Sequence, residues 1–359
     1  MLLSAIEYGA MSGKTRAMAG RLLKPHDYQE IMLKRSVNEV AAYLKYNTHY
    51  SAVLADINEA DIHRGQLENI LRHEYINDYV KLMRFSSGSR KTFLNLLYMK
   101  LEIENIKLLL RLFEAGSADQ TLLEESLPFL SRHEELDIQK LALSKSLEEF
   151  LAGLRGTDYA EVMRPYVTMG QETRLFHLEM TLDLYYFRKV QETALGLLHG
   201  EDKRMAMEFN GIEIDVFNIF WIYRIKTFYH FDKELIYTYI VPYYYRLKRA
   251  IIDDLVSAKN FDEFRQVLER TPYARFFDGD GPGAYERRYG EYLYELHRKR
   301  FVHQPFSIAC LISYLKLKEF ELNNIISIIE GIRYKLAPEE IRKFIMIPEI
   351  KTDKTAKIS

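Results

Sequence analysis

A threefold internal repetition limits the fold of this chain more than any other feature. The pattern acid, aliphatic, any residue, Asn, Ile occurs as Glu102-Ile103-Glu104-Asn105-Ile106, Asp215-Val216-Phe217-Asn218-Ile219 and Glu321-Leu322-Asn323-Asn324-Ile325, with intervals of 113 and 106 from one Asn to the next. A second pattern shares no residue with the first: a Glu, a Leu five residues on, then Thr-x-Tyr. Its copies are Glu39, Leu44, Thr48 and Tyr50; Glu149, Leu154, Thr157 and Tyr159; and Glu263, Leu268, Thr271 and Tyr273. The Thr intervals are 109 and 114, and the first copy has one extra residue before its Thr. Two patterns that alternate in fixed order with a period near 110 imply three homologous units.

Each unit reads as helical. Apolar residues recur at spacings of three and four over 2–23, 57–86, 92–113, 139–154, 171–198, 204–228, 234–256 and 306–333, and alternating strand patterns are nearly absent. Breakers punctuate these runs: Pro25, which ends the first helix, Ser86-Ser87-Gly88-Ser89, the small-residue loop 115–119, and Asp278-Gly279-Asp280-Gly281-Pro282-Gly283. Ala337-Pro338-Glu339-Glu340 marks a helix start, with Pro in the first turn and acids facing the positive helix end. The expected organisation is all-α: helical unit 1 over 1–117, unit 2 over 118–230, unit 3 over 231–348, and a disordered polar tail over 349–359.

In each unit a short helix ends at Thr-x-Tyr and a long helix carries the acid–Asn pair. Three residues apart, acid and Asn share one helix face. In an apolar helix both are costly unless paired, so Glu102, Asn105, Asp215, Asn218, Glu321 and Asn324 are expected to tie neighbouring helices together through buried hydrogen bonds, the alternative being that the three Asn line a common cavity and touch a partner. Arg111 and Arg224 follow their Asn by six residues, where the third copy has Glu330. Nine residues beyond their acids, they lie on the opposite side of the helix and must meet other helices, solvent or a partner.

Composition excludes several functions. Fifty basic residues nearly balance 51 acidic ones, which argues against a nucleic-acid binder. A single cysteine, Cys310, allows no intrachain disulfide and suits a reducing compartment. The opening residues lack the basic start and long apolar core of a secretory signal. Uncharged apolar stretches such as 235–245 and 305–315 are about half the ~20 residues a spanning helix needs. The 26 Tyr suit interfaces and half-filled cavities, since each buries a ring and keeps a wet tip.

Apparent chemical motifs fail on inspection. Gly9-Ala10-Met11-Ser12-Gly13-Lys14-Thr15 has three residues between its glycines where a phosphate loop needs four, and no strand precedes it. Ala10, Gly13, Ala17 and Gly20 read instead as a small face that lets another helix approach. Residues 278–289 match a calcium loop at the first, third and sixth positions but have Pro282 and Tyr289 where oxygen ligands belong. No His pair has ligand spacing and no nucleophile motif is visible, so neither cofactor nor metal is expected.

The residues then resemble one family. Tyr8, Arg16-Ala17-Met18 and Leu22-Leu23 are similar to its opening helix, and Lys100-Leu101-Glu102-Ile103-Glu104-Asn105-Ile106 to the signature that ends its first unit. Lys318-Glu319-Phe320-Glu321-Leu322-Asn323-Asn324-Ile325, Glu330-Gly331-Ile332-Arg333-Tyr334-Lys335-Leu336 and Pro338-Glu339-Glu340-Ile341-Arg342 resemble its C-terminal signature. The family is that of the C subunits of prokaryotic V/A-type rotary ATPases, equivalent to the eukaryotic d subunits, and the resemblance runs from about residue 5 to 345. It implies a funnel-like protein of three helical bundles in pseudo-threefold arrangement, without catalysis or cofactor of its own. The implied site is the cytoplasmic face of the membrane, with one copy coupling the central axle subunits D and F to the proteolipid ring for ATP-linked proton or sodium transport. Tyr8, Lys14, Arg16, Arg21, Arg111 and Arg224 are the candidate contacts with the axle. The alternatives are a helical scaffold for soluble partners, disfavoured because solenoids stack many units of about 20–50 residues, and an all-α enzyme in which the acids and Asn converge on a metal or substrate.

Overall fold

A computed structural model describes residues 2–114, 136, 138–229, 231–277 and 281–347. Among the described residues the regular structure is helical throughout, with no strand. The helices are α1 (Leu2–Ala19), α2 (Pro25–Met32), α3 (Val37–Asn47), α4 (Arg64–Arg84), α5 (Gly88–Glu114), α6 (Ile138–Ala142), α7 (Leu147–Gly153) and α8 (Asp158–Met163). They continue as α9 (Gln171–Leu197), α10 (Gly200–Arg224), α11 (Lys233–Thr238), α12 (Arg249–Ser257), α13 (Phe261–Glu269), α14 (Pro282–His303), α15 (Ile308–Arg333) and α16 (Pro338–Ile341).

Local sequence explains the short helices. In α3, α7 and α13 the side chains of Ser36, Ser146 and Asn260 accept the amide of the residue three positions on, Glu39, Glu149 and Glu263. Each Glu carboxylate reaches back to the amide of Arg35, Lys145 or Lys259, at 2.8 Å in all three. This is a capping box displaced by one residue, and it fixes the first turn of all three helices. The Leu five residues after each Glu (Leu44, Leu154, Leu268) is buried. The Thr hydroxyl then donates to that Leu carbonyl, at 2.6, 2.7 and 2.7 Å for Thr48, Thr157 and Thr271. Thus the Glu-to-Tyr pattern encodes a helix with both ends specified. Pro338 opens α16 as expected, with Ala337 as its cap.

Three expectations need correction. Pro25 does not end the first helix; α1 stops at Ala19 and Pro25 is the first residue of α2, where its missing N–H costs nothing. The runs 139–154 and 234–256 are not single helices. Ser146 caps a new helix inside the first. Inside the second, residues 239–248 leave helical geometry because Pro242 cannot donate and the amides of 241 and 245–247 are taken by side chains of α10. The small face of α1 receives no close helix among the described residues: Ala10, Gly13 and Ala17 are exposed, and a Cβ added to Gly13 would meet nothing within 4 Å. The packed face is instead Tyr8, Met11, Thr15 and Met18, spaced three and four apart. The phosphate-loop resemblance is helical, with Thr15 Oγ1 donating to Met11 O at 2.7 Å. The loop at 115–119, the first three positions of the calcium-loop resemblance and the tail after 347 lie outside the described residues.

The chain divides into two compact units. One comprises Met1–Leu82, Tyr289–Phe306 and Cys310–Ser359; the other comprises Met83–Arg288 and Ser307–Ala309. In the first, Ile31, Val40, Leu44, Leu67 and Leu71 are buried, as are Ile325, Ile328 and Ile329 of α15. In the second, α9 packs along α5 and α10, burying Ile106, Leu110, Leu178, Leu182, Val190, Ile212 and Ile219. None of the described helices is long and apolar enough to cross a membrane.

Candidate functional site

The two repeated patterns meet in space, one copy out of step. Tyr159, from the second Thr-x-Tyr, donates its hydroxyl to the first acid, Glu102, at 2.6 Å. Tyr273, from the third, donates to the second acid, Asp215, at 2.8 Å. Tyr50, from the first, donates to the third acid, Glu321, at 2.9 Å. The two former junctions lie in the 83–288 unit and the last in the other unit. Along the chain the pairing is cyclic: each tyrosine meets the acid of the preceding copy, and the first meets the last.

Burial makes each junction demanding. Asp215 and Asn218 are fully buried and Glu102, Asn105, Glu321 and Asn324 nearly so. An unpaired carboxylate there would be prohibitive, so each acid accepts a tyrosine hydroxyl, and Asp215 and Glu321 collect further donors. Asp215 accepts the amides of Tyr245, Arg246 and Leu247 at 3.1, 2.7 and 3.1 Å besides the Tyr273 hydroxyl. Burial pushes its carboxyl up from the ordinary range while these four hydrogen bonds pull it back. Glu321 accepts the amide of Leu23. Leu23 and Leu247 both stand two residues before a helix start, so the second and third junctions repeat this contact too. Burial and the neighbouring carboxylates hold the phenols of Tyr50 and Tyr159 far above their usual range, so they stay donors.

The Asn residues serve a second joint. Asn218 forms a two-bond amide pair with the backbone of Val241, at 3.0 and 2.9 Å. Asn324 does the same with Met346, both bonds at 2.7 Å. In each case the side chain replaces a strand partner for an irregular segment 22 or 23 residues downstream. The buried Nδ2 of Asn105 has no hydrogen-bond partner among the described residues.

The third junction carries a feature the others lack. Lys318, one turn before Glu321, is buried and places Nζ 2.5 Å from Glu321 Oε1, 2.8 Å from the Tyr50 hydroxyl and 2.7 Å from His49 Nε2. Met99 and Ile212 occupy the corresponding positions. Because Lys318 donates to Nε2, the neutral imidazole of His49 carries its proton on Nδ1. Burial and then Lys318 pull the His49 pKa down.

The candidate partner contacts are scattered. Tyr8 is buried, whereas Arg16 and Arg21 are exposed on or just after α1 and have no acidic partner among the described residues. The Arg16 guanidinium lies 5.6 Å from the Phe301 ring centroid. Lys14 is half-buried. Arg111 pairs with Glu179 on α9 and Arg224 with Glu286 on α14, both at 2.5 Å. Sequence reasoning missed Lys318 and the capping residues. The latter were signalled by Ser or Asn three residues before each repeated Glu.

None of the junctions presents a nucleophile or an open acid pair, and no group of three or more His, Cys, Asp or Glu among the described residues is arranged to hold a metal. Fold and junctions define an all-helical protein held together by repeated buried hydrogen-bond joints. Comparison places it more narrowly: residues 11–344 match the family described as ATP synthase (C/AC39) subunit, and the chain belongs to that family. It is similar to the C subunit of the A-type ATP synthase of Methanocaldococcus jannaschii, 26% identical over 356 residues that cover 96% of this chain and 88% of the relative. The same protein of Archaeoglobus fulgidus is 26% identical over 339 residues, covering 93% and 94%. That of Methanosarcina mazei is 25% identical over 345 residues, covering 93% and 91%. The chain is thus a non-catalytic subunit of a rotary A/V-type ATPase.

Proposed function

We propose that this protein is the rotor adaptor that couples the central axle subunits D and F to the membrane proteolipid ring, at the cytoplasmic face, in one copy per complex. The cyclic Tyr–acid pairing carries the reading. A chain whose first Tyr returns to its last acid suits a closed set of three helical units (1–117, 118–230 and 231–348) around one axis, as a funnel that receives an axle would need. A torque-bearing part must resist deformation, and close-packed helices tied by buried carboxylates do so. Arg16 on α1 and Arg21 just after it are the exposed cations through which the axle would be held, with Lys14 beside them and Tyr8 packing the helix from beneath. Arg111 and Arg224, ion-paired with Glu179 and Glu286 of the following helical unit, would contribute at the rim. The complex would link ATP turnover to proton or sodium transport without chemistry at this chain. Native mass spectrometry of the purified chain with D and F tests this. A one-to-one-to-one assembly is expected, weakened by charge reversal at Arg16 and Arg21; the absence of any assembly at low salt, where charged contacts are strongest, refutes it.

A further inference from the structure

The repeat supplies an internal control for one cavity in the 83–288 unit. Beside the end of α5, the groove against α6 and α7 is filled: Leu109, Leu112, Phe113, Leu141 and Phe150 leave only about 20 Å³. Aligning Asp215 with Glu102 and Asn260 with Ser146 puts Lys226 where the first copy has Phe113, and Phe264 where it has Phe150. There the cavity measures about 320 Å³. Two changes open it. The chain after α10 rewinds into a π-turn over Ile225–Tyr229, a rare geometry that recurs at functional sites. And Lys226 withdraws toward the neighbouring backbone, with Nζ 2.7 Å from Val256 O.

The lining has a definite chemistry. Tyr223, Phe231, Phe261 and Phe264 supply aromatic walls, and Lys226, Lys259, Thr227 and Asn260 supply polar groups. Lys259 has no acidic partner among the described residues, since the nearby Glu263 carboxylate is engaged by the Lys259 amide. Lys233 approaches from α11 through its bond to Ser257 Oγ, so three ammonium groups gather at this corner. Burial, then Lys233, draws the Lys226 pKa down, a cost that a bound anion would reverse. The volume sits at the low end for ligand pockets, enough for one ring with its substituent.

We infer that this cavity is a binding site for an aromatic anion, a flat ring bearing a phosphate or carboxylate, with the ring against the wall of Phe231, Phe261 and Tyr223 and the anion against Lys226 and Lys259. The inference does not depend on the rotor reading. Titration of the full chain with phenyl phosphate, N-acetylphenylalanine, phenol and inorganic phosphate, followed by ligand-observed NMR, tests it. One of the two aromatic anions should saturate in the millimolar range or below and bind at least about tenfold more tightly than phenol or phosphate alone. Preference for phenyl phosphate marks a free phosphorylated ligand; preference for N-acetylphenylalanine marks the terminal residue of a polypeptide. Lys226→Phe, which restores the filling of the first copy, should abolish binding. The exposed Lys259→Glu, which leaves the core untouched, should weaken it roughly fivefold or more. Failure of both aromatic anions to saturate, equal binding of phenol, or unchanged binding in Lys259→Glu overturns the proposal.

Discussion

Replacing Lys318 by Met tests the energetics of the junctions most sharply. The side chain is 1% exposed and its ammonium contacts Glu321, Tyr50 and His49, all within 2.8 Å. Met keeps most of the volume and removes the charge. Glu321, 2% exposed, then retains the Leu23 amide, the Tyr50 hydroxyl and the His49 ring, whose Nε2 lies 3.6 Å from Oε1, but no permanent cation. Removing one partner of a buried pair costs about 3–5 kcal/mol, whereas replacing both by well-packed apolar residues is nearly neutral or stabilising. Lys318→Met should therefore lose about 3 kcal/mol or more, and Lys318→Met with Glu321→Leu should lose less than the single variant. The measurement is the urea midpoint followed by far-UV circular dichroism, with limited proteolysis to locate the loosened segment at α1–α3 and α15. A loss below about 1 kcal/mol in the single variant, the size of an exposed pair, would refute the reasoning.

Three further outcomes follow from the same geometry. Gly211→Ala would place a Cβ 2.6 Å from the Tyr245 Cβ, so the segment that supplies amides to Asp215 must shift, and a loss of about 1–3 kcal/mol is expected in thermal melts. Because the folded-state pKa of His49 lies below its ordinary value of 6.5, its contribution is complete above that pH and is lost as the pH falls through the lower folded pKa. The difference in melting temperature between wild type and His49→Gln should thus be flat above neutrality and shift toward the variant below it; a flat difference throughout would remove His49 from the network. Ser36→Ala, Ser146→Ala and Asn260→Ala should each cost about 1 kcal/mol by equilibrium unfolding, and three unequal costs spanning more than about 2 kcal/mol would deny the equivalence of the caps.

Much of this was legible in the sequence because the junctions need particular side chains. A buried acid requires a donor that reaches it from another helix, so Glu102, Asp215 and Glu321 recur, as do Tyr50, Tyr159 and Tyr273. Their partnership was not legible: a repeat interval tells which residues correspond, not which copies touch, and the displacement by one copy emerges only in space. The helix expected over 234–256 failed for a related reason. Its apolar spacing is real, but Asp215 and Asn218 take the amides of 241 and 245–247 from more than 20 residues away. α14 escaped notice because Tyr285, Tyr289 and Tyr292 fill positions where aliphatic residues would have shown the period. Lys318 was hidden by uniqueness, as no other copy carries it. The exposed small residues of α1 show the converse error, in which a stripe suited to close packing meets no helix among the described residues.

The rotor-adaptor role is tested most directly by a cryo-electron microscopy map of the assembled ATP synthase that contains this chain. One copy is expected on the rotation axis between axle and proteolipid ring, with the three Tyr–acid junctions at successive positions around that axis. Density for the chain at the periphery of the complex, or more than one copy per complex, would contradict it.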